Sequence, residues 1–314
     1  MRPVECPQVL MRSAISQGSW QTSMLANGQA QLLETNVMKG SRVFFALRSL
    51  QLLLATVTLL AGCGEMKNEN TASAYDQISA SEWEAVTAKR TFFGHQSVGE
   101  NILSGVRTLA SGSHANLAVK ELATATTGAG IVHFRIGTNE DPHSKIREFE
   151  RIMRGAAANG ADVALMKFCY LDIVGNTDVK SLAEAYISSI DNLARRFPKT
   201  TFVAVTVPLT TVQGGVKALV KRAIGRIPSG YVENVRRQQF NRIIREKYAN
   251  QNLLFDLAKF ESEGSTHFQY QGSTFETLNP VLTSDGGHLN SRGELLVATK
   301  LLIFIANLPA QPRK

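Results

Sequence analysis

Cysteine is nearly absent from this chain, with three in 314 residues, at positions 6, 63 and 169. Cys6 and Cys63 fall in a leader region discussed below. That leaves Cys169 as the one free thiol, so no intrachain disulfide is expected and the fold must rest on its core. Cys169 ends an apolar run, the setting of a buried, inert cysteine. Internal repeats, a second domain and nucleic-acid-binding motifs are also missing, and nucleic acid is not an expected partner. The formal charge of +8 is spread along amphipathic stretches as solvated faces. Arg2, Arg12, Lys39, Arg42 and Arg48 against Glu5 and Glu34 account for part of it and leave +5 beyond residue 63. Among the six histidines, His95, His133, His143 and His288, with Asp141, lack the tight spacing of a ligand set, so neither a metal nor another cofactor is expected. What is present is a 44% apolar composition, enough for a sizeable core.

One hydrophobic run stands out. Residues 38–63 read M-K-G-S-R-V-F-F-A-L-R-S-L-Q-L-L-L-A-T-V-T-L-L-A-G-C. Lys39, Arg42 and Arg48 form a positive n-region ahead of an apolar segment at 50–60, too short to span a bilayer permanently. The closing Leu60-Ala61-Gly62-Cys63 resembles the lipobox of bacterial lipoproteins. That resemblance implies cleavage before Cys63, a diacylglycerol on its thiol, and a protein exported to the cell envelope and tethered to a membrane. Residues 1–37 suit neither a short n-region nor a folded segment. Met38 is the expected initiator, residues 1–37 a spurious extension, and 38–62 a signal peptide. Residues 63–78 are polar and read as a tether.

From residue 79 onward helical and strand patterns alternate. Strands are predicted at 91–94, 116–122, 162–168, 201–207 and 252–257, and helices at 79–89, 98–110, 144–157, 179–197, 232–248 and 291–306. Ser79 with Glu82, and Ser291 with Glu294, have capping-box spacing. This predicts one α/β domain over 79–314, a three-layer α/β/α sandwich on a parallel sheet of about five strands. Residues 124–141 read as a long glycine-bearing loop. Residues 216–227, V-K-A-L-V-K-R-A-I-G-R-I, read as a basic amphipathic insertion helix with a solvated face; a lid, or a contact for anionic lipid or glycan, is the other reading.

Ligands bind such sheets at the carboxyl ends of the strands. There, T-F-F-G-H-Q-S-V-G (91–99) sets Ser97 at a strand-to-helix corner, where it suits a helix cap or a nucleophile. The loop S-D-G-G-H-L-N (284–290) precedes the last helix and carries Asp285 and His288 three residues apart. An imidazole activates a serine hydroxyl by taking its proton, and a carboxylate fixes the imidazole's tautomer and stabilises its cation. Together the two stretches predict a Ser97–His288–Asp285 nucleophilic site. The elbow G-x-S-x-G is not met, because His95 stands at its first glycine.

This layout resembles the SGNH (GDSL-type) hydrolases over about residues 91–306. F-F-G-H-Q-S-V-G is similar to the family's first block and T-S-D-G-G-H-L-N to its last. The resemblance implies a flavodoxin-like sheet, ester hydrolysis, Ser97 as nucleophile, and Asp285 and His288 as its partners. It further implies an oxyanion hole using the N–H of a second-block glycine, Gly128 or Gly130. The family's G-D-S reads H-Q-S here, and its third block G-x-N-D reads C-Y-L-D (169–172), with Leu171 in place of the asparagine and Asp172 matching. Asn139 is the candidate replacement. The expected substrate is an acylated carbohydrate or a small ester. The alternative is a non-catalytic carbohydrate-binding or envelope-assembly lipoprotein on the same fold.

Overall fold

Short runs of β-branched and aromatic residues, buried on both faces, build the strands of a parallel sheet. The computed structural model describes residues 77–122, 128–156 and 160–309. The expected extension at 1–37, the expected signal peptide at 38–62, and Cys63 with residues 64–76 of the expected tether lie outside them. In chain order the sheet strands are β1 (Arg90–His95), β2 (Val119–Glu121), β3 (Gly130–Arg135), β4 (Val163–Met166), β5 (Thr201–Val205) and β6 (Leu254–Phe255). Their spatial order is β2-β3-β1-β4-β5-β6, with every neighbouring pair parallel. Without the short edge strand β2, this is the flavodoxin-like order. The chain leaves β1 for one side of the sheet and returns to β4 on the other. The crevice between those outward paths opens at the carboxyl end of β1.

The helices are α1 (Ala80–Ala88), α2 (Ser97–Gly112), α3 (Pro142–Ala156), α4 (Val179–Arg196), α5 (Gly215–Ala223), α6 (Tyr231–Tyr248), α7 (Leu257–Ser262) and α8 (Ser291–Asn307). Strand side chains alternate between two cores. Phe93, Leu165 and Val203 pack with Ile102 and Val106 of α2 and Leu301 of α8. Phe92, Ala164 and Phe202 pack with Phe149 of α3, Tyr186 of α4 and Phe240 of α6. The α/β/α sandwich is therefore as expected, with two local corrections.

The first concerns residues 124–141, which contain the strand β3. Its G-I-V-H-F-R run is interrupted by His133 and Arg135 and entered through Gly128, which breaks the apolar pattern that marks the other strands. Among the described residues the sheet therefore has six strands. The second concerns α8. Its N-cap is Asn290, whose side chain accepts from the amides of Arg292 and Gly293 at 3.1 Å each. Glu294 instead accepts from Asn101 Nδ2 (2.9 Å) and Ser104 Oγ (3.0 Å), joining α8 to α2. The capping box at Ser79 and Glu82 is present. A hairpin of β7 (Phe268–Tyr270) and β8 (Ser273–Phe275), unmarked by any strong turn signal, lies between α7 and α8.

Candidate active site

β1 ends at His95, Gln96 caps α2 without a side-chain bond, and Ser97 is the first helical residue. First-turn amides have no partner inside their own helix, so the backbone N–H of Ser97 is left without an intrahelical acceptor. Gly99 allows this corner: a Cβ there would fall 2.2 Å from the Cβ of His95. Ser97 does not act as the cap. Its Oγ lies 2.9 Å from His288 Nε2, across 191 positions of sequence.

His288 stands on a loop shaped by Asp285. The carboxylate oxygen Oδ1 accepts from the amides of Gly287 (2.9 Å) and His288 (2.8 Å), and Oδ2 lies 2.7 Å from His288 Nδ1. With the proton on Nδ1 donated to Asp285, Nε2 is left to accept from the serine hydroxyl. Partial burial raises the Asp285 pKa, but the Gly287 amide and the His288 ring outweigh it and hold the carboxyl well below the usual range. Thr211 N–H donates to Gly286 O at 2.9 Å and ties the loop to the segment after β5. Tyr170 meets the His288 ring edge-on, with centroids 5.7 Å apart. Gly287 makes room for it, since a Cβ there would lie 2.9 Å from the Tyr170 ring. Buried Arg237 holds Tyr170 in place through the carbonyl, at 3.1 and 2.8 Å. Tyr170 falls at the variable position of the block C-Y-L-D and Arg237 lies in no motif, so the sequence marks neither.

Asn139 follows β3 on the loop beside β1. Its Oδ1 accepts from Lys145 Nζ at 2.9 Å, which leaves Nδ2 as a donor with no hydrogen bond among the described residues. Lys145 also reaches Asp172 Oδ2 at 2.5 Å, and both side chains are fully buried. Asp172 further accepts from the amides of Cys169 (2.6 Å) and Glu140 (3.0 Å). It thus clamps the loops after β3 and β4 together on either side of Ser97.

Gly128 and Gly130 require correction. Gly130 opens β3 opposite Arg90, at the start of β1, and its N–H is bonded to Lys89 O at 2.8 Å. Gly128 precedes it, so both lie toward the amino ends of the strands, away from Ser97. The glycine that follows β3 is Gly137, whose N–H is taken by Glu148 Oε2 at 2.6 Å. The hidden strand caused the misplacement, because it reverses which end of residues 124–141 faces the site.

Of the residues considered for a metal, His95 and His133 do meet, with ring nitrogens 3.2 Å apart and Glu100 as a third group within 4.8 Å. Arg107 sits among them, 2.7 Å from Glu100 and 3.2 Å from His133 Nε2. A guanidinium only donates, so His133 passes its own N–H to His95, and His95 donates in turn to Gln96 O at 2.9 Å. Burial pushes His95 down to about 4 and lowers His133 as well, keeping both rings neutral. Arg107, His133, His95 and Gln96 thus form one row in which each ring nitrogen has a matching donor or acceptor. His288 belongs to the serine row instead, and Asp141 bonds within its own turn to the amide of Ser144 at 3.0 Å.

Beside the loop carrying His288 opens a cavity of about 490 Å³, lined by Thr211, Val212, Leu219, Tyr231, Phe268 and Pro280 among others.

No family model and no curated protein matches this chain. Among solved structures it is similar to a putative GDSL-like lipase from Parabacteroides merdae, at a TM-score of 0.44 and 14% identity, over 68% of this chain and 95% of that one. It is also similar to a putative lipolytic protein of the G-D-S-L family from Desulfitobacterium hafniense, at 0.41 and 10%, over 69% and 99%. A third likeness is to the periplasmic domain of a lipopolysaccharide acetyltransferase from Salmonella ser. Paratyphi A, at 0.39 and 14%, over 84% and 96%.

Proposed function

We propose that this protein is an exported serine esterase or deacylase of the SGNH type, tethered to a membrane through Cys63 and acting on an acylated carbohydrate or small ester. The observation that carries this reading is the unbroken row from Ser97 Oγ through the His288 ring to Asp285, with separations of 2.9 and 2.7 Å. Ser97 attacks the acyl carbonyl while His288 Nε2 takes the hydroxyl proton. Asp285, already ionised, stabilises the imidazolium that forms. The Ser97 N–H and the Nδ2 of Asn139 serve the oxyanion. His288 then gives its proton to the departing alcohol, leaving an acyl group on Ser97. Water completes hydrolysis by the reverse sequence of proton transfers; a sugar hydroxyl in its place makes the same site an acyltransferase. A purely carbohydrate-binding role gives no reason for an imidazole set between a hydroxyl and a carboxylate.

A fluorophosphonate probe tests the reading. The wild type should label at one residue, and Ser97→Ala should remove both labelling and ester turnover, with kcat down by about 10⁴–10⁶-fold. Ser97 is not the helix cap, so melting should be unchanged. Full turnover by Ser97→Ala on an ester the wild type hydrolyses would sink the proposal.

A further inference from the structure

The segment after β5 carries an apolar stripe that the fold does not bury. Val216, Leu219, Val220, Ala223, Ile224 and Ile227 recur at helical spacing along α5 and the turn that follows. Such a stripe normally faces a core. Here Val216 is 75% exposed, Leu219 and Ile224 62% each, Val220 55% and Ile227 46%, while Ala218 is the helix's buried residue. The helix is held to the body by its polar side: Lys221 Nζ donates to Ser229 Oγ (2.9 Å) and Arg222 to Tyr231 OH (3.0 Å).

The charge around the stripe is of one sign. Lys217, Lys221, Arg222 and Arg226 flank it, and none of the four forms an ion pair among the described residues. The sequence has no acidic residue between Asp191 and Glu233. An apolar stripe edged with cations is the pattern of a helix lying in the headgroup region of an anionic bilayer. A second copy seated on this face would bring the same four cations against it, with no acid in the segment to offset them.

We propose that α5 is a membrane-contact helix. Its exposed aliphatic side chains enter an anionic lipid surface, and Lys217 and Arg226 lie against the lipid phosphates. Ala218, Leu219 and Arg222 also line the cavity beside the His288 loop. Docking α5 therefore brings the mouth of that cavity to the membrane surface. The inference does not depend on the chemistry proposed for Ser97.

The test places an environment-sensitive fluorophore on α5 of the full chain, through Val220→Cys with Cys6 and Cys63 replaced by serine, so that buried Cys169 is the other thiol. The probes are vesicles of phosphatidylcholine with phosphatidylglycerol, vesicles of phosphatidylcholine alone, and both with brominated acyl chains. On the anionic vesicles the emission should shift blue and be quenched by the brominated chains; on neutral vesicles it should not. Each cation near such a surface contributes about fivefold in affinity. Lys217→Gln with Arg226→Gln should therefore weaken the response about 25-fold. A label that stays unquenched on anionic vesicles overturns the proposal, as does quenching that ignores lipid charge and the double substitution. A label already shielded without vesicles also overturns it, assigning the stripe to another segment of this chain or to a second copy. The readout is local to α5, so attachment through the segment at 50–60 does not imitate it.

Discussion

Ser97 sits on a floor assembled from three strand ends, whereas its partner His288 hangs from a loop that largely supports itself. On the floor, Lys145 and Asp172 are wholly buried, Asp172 ties the β3 and β4 loops, and Gln96 Nε2 bonds Ile136 O and Gly137 O at 2.7 and 2.9 Å. On the loop, the Asp285 side chain is 57% exposed, and its partners are the amides and the ring of its own turn. The position of Ser97 thus depends on long-range buried polar contacts, and that of His288 on short-range exposed ones. Damage to the floor should register as lost stability, and damage to the loop as lost rate alone.

The largest expected effect separates the two most sharply. Asp285→Asn should lower kcat about 10⁴-fold, because an amide favours the wrong imidazole tautomer, while the melting temperature stays put. A fall in melting temperature matching that of a floor variant would erase the distinction. Next comes Lys145→Met, which leaves Asp172 charged, buried and short of its partner. Chemical denaturation should show a loss of about 3–5 kcal/mol, and adding Asp172→Leu should recover much of it. An unchanged midpoint for Lys145→Met would show that the clamp does not hold the floor. Smallest is Asn139→Ala, where the two regions meet at the substrate. Steady-state kinetics should show kcat reduced about 10²–10³-fold with KM little changed. Unaltered kcat would mean that backbone donors alone serve the oxyanion.

How far these regions were legible in the sequence follows the same division. The loop was readable because its partners are neighbours: Asp285 and His288 declare themselves three residues apart, ahead of a strongly periodic helix. Ser97 was readable from the corner between β1 and α2. The floor was only half readable. Asp172 stood out through its resemblance to a family block, but Lys145 looked like any lysine on an amphipathic helix, and only the packing of α3 buries it. β3 was hidden because His133 and Arg135 interrupt its apolar run, and that one omission displaced both candidate glycines. The cap of α8 was misread by a single residue, since Asn290 and Ser291 are both good caps and Glu294 found a distant partner in α2.

The wide separation of Ser97 and His288 along the chain also sets a timetable. Among the described residues β1 is the first sheet strand to leave the ribosome, and the residues that would activate its serine come just before α8. That helix must dock on α2, through Glu294 and the Leu301 side of the core, before the His288 loop is anchored from behind. Contacts this distant in sequence form late, after the loop-closure cost has been met. While the chain is unfolded, the hydroxyl is no more reactive than any other serine. On the proposed chemistry, reactivity would arise only with closure of α8, so a partly made or partly folded copy would be chemically silent.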